Sequence, residues 1–162
     1  MANRDNANGF HLVKSLSGHA EYVQGKVPNS TKITAGDPVI EDATSAGYVD
    51  VATTSTGLLL GVSAESVSTE AATTDTILFY PAIPSNIFEV QCMESGFAQT
   101  DVYSDADIYG STGAFELNAK NGTEGVCQIV GVASNNSEMT GNYTRVHVII
   151  ARSSYVPLLA AK

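Results

Sequence analysis

The segment Asn86-Ile87-Phe88-Glu89-Val90-Gln91-Cys92-Met93-Glu94 alternates apolar and polar residues without a break. That period of two belongs to a strand with one buried face. Phe88, Val90 and Cys92 should point to a core, and Glu89, Gln91 and Met93 away from it. Other strand-like stretches, some alternating and some apolar throughout, recur along the chain, each bounded by Gly, Pro, Asn or Asp. They are Val23–Val27, a short strand within 36–42, Gly47–Ala52, the apolar run Gly57–Ala64, Thr76–Tyr80, Ala114–Asn118, Gly125–Ala133 and Thr144–Arg152. In the last, Val146, Val148 and Ile150 should face the core, and Arg145, His147 and Ile149 should oppose them. Helical i, i+3, i+4 patterning is scarce, and HAEYVQGKVPNS carries Gly25 and Pro28 inside it. About nine short, closely spaced strands predict an all-β fold, a small antiparallel β-barrel or sandwich.

A chain of 162 residues suits one main domain. Residues 1–18 read as an N-terminal arm and 19–162 as a single β domain. The lead MANRDNANGF has too few apolar groups to pack on itself. It also lacks the basic start and unbroken apolar run of an export signal. Charged residues make up only 15% of the chain, with 17 acidic against 8 basic and a net charge of −9. The basic residues Arg4, Lys14, Lys26, Lys32, Lys120, Arg145, Arg152 and Lys162 form no stripe that could neutralise phosphates. No nucleic-acid partner is expected. No apolar run is long enough for a membrane-spanning helix, so no membrane partner is expected either. Cys92 and Cys127 have no zinc-ligand spacing and read as buried free thiols on strands.

A faint internal echo runs through the chain. GDPV, GYVDVA and LLLGVSAES parallel TDVY, AFELNA and QIVGVASNN. This would make two similar three-strand units closing one barrel.

No constellation for chemistry stands out. His11, His19 and His147 are far apart, and no GxSxG elbow, HExxH pair or phosphate loop occurs. No enzyme activity, cofactor or metal is expected. Asp101, Asp105 and Asp107 could offer oxygens to calcium but lack the spacing of a calcium loop, and read as a solvated turn. Asp105 could instead cap a short helical turn. The sequons at Asn29, Asn121, Asn135 and Asn142 read as turn markers.

The opening from Met1-Ala2-Asn3 through Asn8-Gly9-Phe10 to Leu16-Ser17-Gly18 resembles that of small structural proteins of tailed bacteriophages. Gly36-Asp37-Pro38-Val39, Gly61-Val62, Ile87 to Gln91 and Gly131-Val132 follow a similar layout. On these residues the chain resembles the head decoration, or capsid cement, proteins of tailed phages. The resemblance implies a β-barrel-type domain on the outer capsid surface of the virion. It implies the major capsid protein and further copies of itself, as a homotrimer, for partners, and no catalysis. It implies that the arm reaches the capsid protein or a neighbouring subunit, with Asn8, Gly9, Phe10, Leu12, Val13 and Leu16 in contact. Asn and Gly would supply turns and hydrogen bonds there, and the apolar residues anchors. A surface module for host glycans, using Tyr103, Tyr109 and Tyr143, is the alternative, as is a tail structural protein. The apolar tail Tyr155–Lys162 should pack on its own domain, with an intersubunit contact as the other option.

Overall fold

The structure is a computed structural model that describes residues 3–54, 57–68, 75–94 and 96–154. Among them it is all-β. The strands are β1 (His11–Ser15), β2 (Val23–Lys26), β3 (Pro38–Glu41), β4 (Val49–Val51), β5 (Gly61–Ser63) and β6 (Thr76–Pro81). They continue with β7 (Asn86–Gln91), β8 (Asp105–Tyr109), β9 (Glu116–Asn118), β10 (Cys127–Val132) and β11 (Arg145–Ile150). Among the described residues the one helical element is a 3-10 turn, Gln99–Asp101. No helix among the described residues is long and apolar enough to cross a membrane. The tail 155–162 lies outside the described residues, so the expectation that it packs on its own domain falls outside them too.

The strands form two antiparallel sheets. One is β1-β7-β11-β10-β8-β9 and the other β2-β6-β5-β3-β4. Setting β1 aside, they are two copies of one unit. Unit one is β2 to β6 and unit two is β7 to β11. In both, the strand order across the sheet is first, fifth, fourth, second, third.

The registers agree residue by residue. Lys26 pairs with Thr76 in unit one as Gln91 pairs with Arg145 in unit two. Pro38 opposes Val62 as Asp105 opposes Gln128, and Glu41 opposes Val49 as Ile108 opposes Leu117. Each sheet curls until its first and third strands meet in a single parallel bridge, Lys26 with Tyr48 and Cys92 with Leu117.

The connection after the first strand repeats as well. Ile33 bridges Val67 and Phe97 bridges Gly141, both antiparallel. Just beyond, an aspartate carboxylate accepts the amide three residues back: Thr34 to Asp37 at 2.8 Å, and Ala98 to Asp101 at 2.7 Å. This carboxylate closes a turn that an ordinary backbone bond would otherwise hold alone.

The echo in the sequence therefore marks a duplication of five strands, not three, and the two units do not share one barrel. The echo aligns Asp37 with Asp101 correctly. Its matching Gly-Val pairs are not equivalent, however. Gly61 and Val62 oppose Pro81 and Tyr80, whereas Gly131 and Val132 oppose His147 and Val146, at the other end of the strand pair.

The main core lies between the sheets. It joins Phe88, Val90, Val146, Val148, Ile129, Ile108 and Leu117 of the six-stranded sheet to Leu59, Val62 and Ala82. A smaller cluster of Val27, Ile33, Val39, Val49, Ile77 and Phe79 fills the curl of unit one. The faces expected for β7 and β11 are as observed, with one exception: Gln91 is only 1% exposed. Two strands escaped the sequence patterns. One is β1. The other is β8, where the expected solvated turn is instead a paired strand.

Candidate interaction surfaces

The Asn-rich lead is held against unit two by side chains that imitate backbone. The carboxamide oxygen of Asn3 accepts the amides of Ser137 and Glu138 at 2.9 and 3.0 Å. Its nitrogen donates to the Glu138 carbonyl and the Thr144 hydroxyl at 3.0 and 3.1 Å. One side chain thus ties down a loop that has little apolar content of its own.

Two residues on, the Gln91 amide nitrogen donates to Asp5 at 3.0 Å and Glu116 at 2.9 Å. The Gln91 oxygen accepts the Asn6 amide at 2.9 Å. These partners satisfy a carboxamide that burial would otherwise penalise. They explain why Gln91 is covered although its strand position faces away from the core.

The structure divides the six expected contact residues. Gly9 and Phe10 are buried in the chain's own fold, and Phe10, 1% exposed, belongs to the main core. The Phe10 amide donates to the Gly36 carbonyl of unit one at 2.8 Å. Gly9 has a φ of +78°, and a Cβ there would lie 2.5 Å from the Gly36 oxygen, so only glycine fits. Leu12 is half-buried against the core. Asn8 is exposed, and so are Val13 at 46% and Leu16 at 60%.

β1 pairs with β7 through His11–Glu89, Leu12–Phe88, Lys14–Ile87 and Ser15–Asn86, with an irregularity between Leu12 and Lys14. It is the outer strand of its sheet. Among the described residues its far edge carries no partner strand, and it lies beside two exposed apolar side chains, the condition under which strand edges recruit partners.

A polar cleft of about 410 Å³ opens beside the lead, lined among others by Arg4, Asn6, Asn136, Tyr143 and Arg145. Asn136 braces its floor, bonding the Ala133 and Arg145 carbonyls at 2.7 and 2.8 Å and accepting the Arg145 amide at 2.7 Å. The Arg145 guanidinium reaches Glu89 at 3.4 Å and the Asn6 carbonyl at 3.2 Å. Tyr143 takes a left-handed φ of +57° at the cleft. Of the other tyrosines expected on loops, Tyr103 is 74% exposed, while Tyr109 ends β8.

The three aspartates do not converge. Asp101 pairs with Lys120 at 2.6 Å and holds its turn. It is this residue, not Asp105, whose carboxylate caps the short helical turn. Asp107 is buried, and its carboxylate accepts the amides of Glu124 and Gly125 at 3.1 and 2.8 Å. Asp105 is exposed on β8. Among the described residues no group of three or more His, Cys, Asp or Glu side chains could hold a metal ion.

Cys92 and Cys127 are free and buried. Burial pushes the Cys92 thiol up to about 12 and raises that of Cys127 as well. The sheet brings two of the histidines to the two sides of one carboxylate: His11 on β1 and His147 on β11 both lie opposite Glu89, and His147 sits 3.7 Å from it, while His19 is exposed. A comparison of the chain with protein-family models, with curated proteins and with solved structures finds no match.

Proposed function

We propose that the protein is a structural virion protein that binds the outer surface of a phage capsid and stabilises the shell. The observation that carries this reading is the outer strand β1. It combines an edge with no partner strand among the described residues with exposed Val13 and Leu16, at the segment whose sequence resembles the decoration proteins. Such an edge can take a strand from the major capsid protein or from a second copy, and the proposed assembly is a homotrimer at threefold positions. Many modest contacts repeated over a shell add up to strong reinforcement.

The test mixes the purified protein with shells of its own phage that lack it and images them by cryo-electron microscopy. Extra density at threefold or pseudo-threefold sites, with β1 against a neighbour, is the expected result. Bare shells would sink the proposal.

The polar cleft favours a second reading. Its carboxamides, two arginines and Tyr143 suit an acidic saccharide on a host surface. A glycan array separates the two readings, because a capsid cement has no reason to select sugars.

A further inference from the structure

Two Asn-Gly pairs occur in the chain, Asn8-Gly9 and Asn121-Gly122. An asparagine followed by glycine carries its own nucleophile. The glycine amide nitrogen lies next along the chain from the carboxamide, and no Cβ hinders its approach. Whether the two groups meet depends on how the fold holds each pair.

The first pair is clamped. Gly9 is buried with a φ of +78°, and a Cβ on it would lie 2.5 Å from the Gly36 oxygen. The Asn8 carbonyl presses on Gly36 in turn, 3.0 Å from where a Cβ would stand there. The Phe10 amide closes the contact by donating to the Gly36 carbonyl at 2.8 Å. Turning the Gly9 amide onto the Asn8 side chain would break this packing.

The second pair lies in the connection from β9 to β10, where Asn121, Gly122 and Thr123 are all exposed. Among the described residues the Gly122 amide donates to no backbone carbonyl. The Asn121 carboxamide oxygen, by contrast, has two donors. It accepts the Thr123 hydroxyl at 2.7 Å and the Thr123 amide at 3.2 Å. Asn8 has no such pair among the described residues. Two donors on one carbonyl oxygen draw electron density from its carbon. They also stabilise the charge that collects on that oxygen when a nucleophile adds. The turn therefore holds the electrophile, its activating donors and an adjacent nucleophile in three consecutive residues.

We propose that Asn121-Gly122-Thr123 is a self-modification site at which Asn121 deamidates, with Thr123 supplying the donors. The Gly122 nitrogen adds to the Asn121 Cγ. The carboxamide nitrogen takes up the proton that the Gly122 amide gives up and leaves as ammonia, closing a cyclic imide. Water then adds to one of the two imide carbonyls, the C–N bond there breaks, and the nitrogen recovers a proton. Addition at Cγ gives an aspartate in an unchanged chain. Addition at the former backbone carbonyl gives an isoaspartate. The carbonyl that accepts the Asp107 amide at 2.8 Å then becomes a free carboxylate, and the chain runs on through the side chain. That route lengthens the backbone by a methylene at a close-fitting turn, since a Cβ on Gly122 would lie 2.7 Å from the Asp105 carbonyl. The site stands independently of the capsid reading.

The test holds the full chain warm at neutral pH, cuts it with protease and weighs the peptides by mass spectrometry. Methyl transfer from S-adenosylmethionine by an isoaspartyl methyltransferase marks the isoaspartyl share. Conversion at Asn121 should be on the order of tenfold faster than at Asn8, because a clamped pair must open before it reacts. The difference should vanish when the same chain is unfolded in urea. Thr123→Val removes one donor from an exposed residue and should slow Asn121 about tenfold, the worth of one neutral hydrogen bond. Thr123→Ser keeps the hydroxyl and should keep the rate. An Asn121 that stays an amide, or converts no faster than Asn8, overturns the proposal. So does a difference that survives in urea, or a Thr123→Val variant as fast as the parent.

Discussion

Units one and two share strand order, register, turn chemistry and closing bridge, yet they are packed differently. In unit two, Val90 is a buried core residue. At the same register position unit one has Gly25, where a Cβ would lie 2.3 Å from the Val49 side chain. Where unit two has Cys127, unit one has Gly61, where a Cβ would lie 2.0 Å from the Tyr80 carbonyl. Unit one is therefore wound tighter around a small cluster. Its opposite face supplies Val62 to the large core that unit two dominates. The backbone plan of a β unit is set by alternation and by where the turns fall. How closely the sheet winds is set by side-chain volume at two or three inward positions.

The largest expected effect contrasts the two cores. Phe88→Ala, in the main core, should cost about 3–5 kcal/mol and unfold both units together. Phe79→Ala, in the smaller cluster, should open unit one while unit two stays protected in hydrogen exchange. Loss of both units at the same denaturant concentration in the Phe79 variant would mean that the two cores are one cooperative body.

The next contrast uses the two glycines that look alike in sequence. Gly61→Ala must displace the Tyr80 backbone and should cost about 1–3 kcal/mol. Gly131→Ala meets nothing within 4 Å, so its unfolding free energy in urea should stay within about 0.5 kcal/mol of the parent's. Equal effects would remove the argument from winding.

Asp37 and Asp101 sharpen the comparison further. Asp37 also accepts the Gly113 amide, at 2.7 Å, and so ties unit one to unit two. Asp37→Ala leaves two amides without their partner and should cost about 1–3 kcal/mol, more than Asp101→Ala, whose Lys120 partner is exposed. Burial raises the Asp37 carboxyl above 3.8, outweighing the amide bonds that lower it. The folded state then holds this proton more tightly than the unfolded state. The stability linked to it is fully present below pH 3.8 and is lost as pH rises through the raised folded value. Subtracting the Asp37→Asn stability profile from that of the parent should show this fall with rising pH. A rise over the same window would contradict the assignment.

The smallest effect tests what the lead does for unit two alone. Asn3→Ala should cost about 1 kcal/mol and speed amide exchange at Ser137 and Glu138, leaving unit one untouched.

Much of the plan was legible in the sequence because one-sided strands must alternate, as five stretches do, and because the apolar runs Gly57–Ala64 and Gly125–Ala133 mark two more. β1 was not, because Val13 and Lys14 are both exposed and no period survives on an outer strand. β8 was hidden because Asp107 occupies a buried position. Its carboxylate is satisfied by the amides of Glu124 and Gly125, which lie far along the chain. Gln91 was misjudged for the same reason, since its partners Asp5 and Asn6 come from the other end of the sequence. The polar character of residues 3–8 was visible. That Phe10 belongs to the core could not be seen, because the cavity it fills is built by strands that follow it. Local pattern reports a residue's own strand and not what is laid across it.

The pairing of β1 with β7 has a consequence during synthesis. Roughly 70 residues separate the two strands, so a ribosome adding about 5–20 residues per second makes β1 some 4–14 s before its partner exists. β2 follows β1 after only residues 16–22, and its outer edge has the same register as the edge of β7. The nascent chain thus meets a nearby site for β1 before the final one, and the finished fold requires β1 to pass over the first and wait for the second.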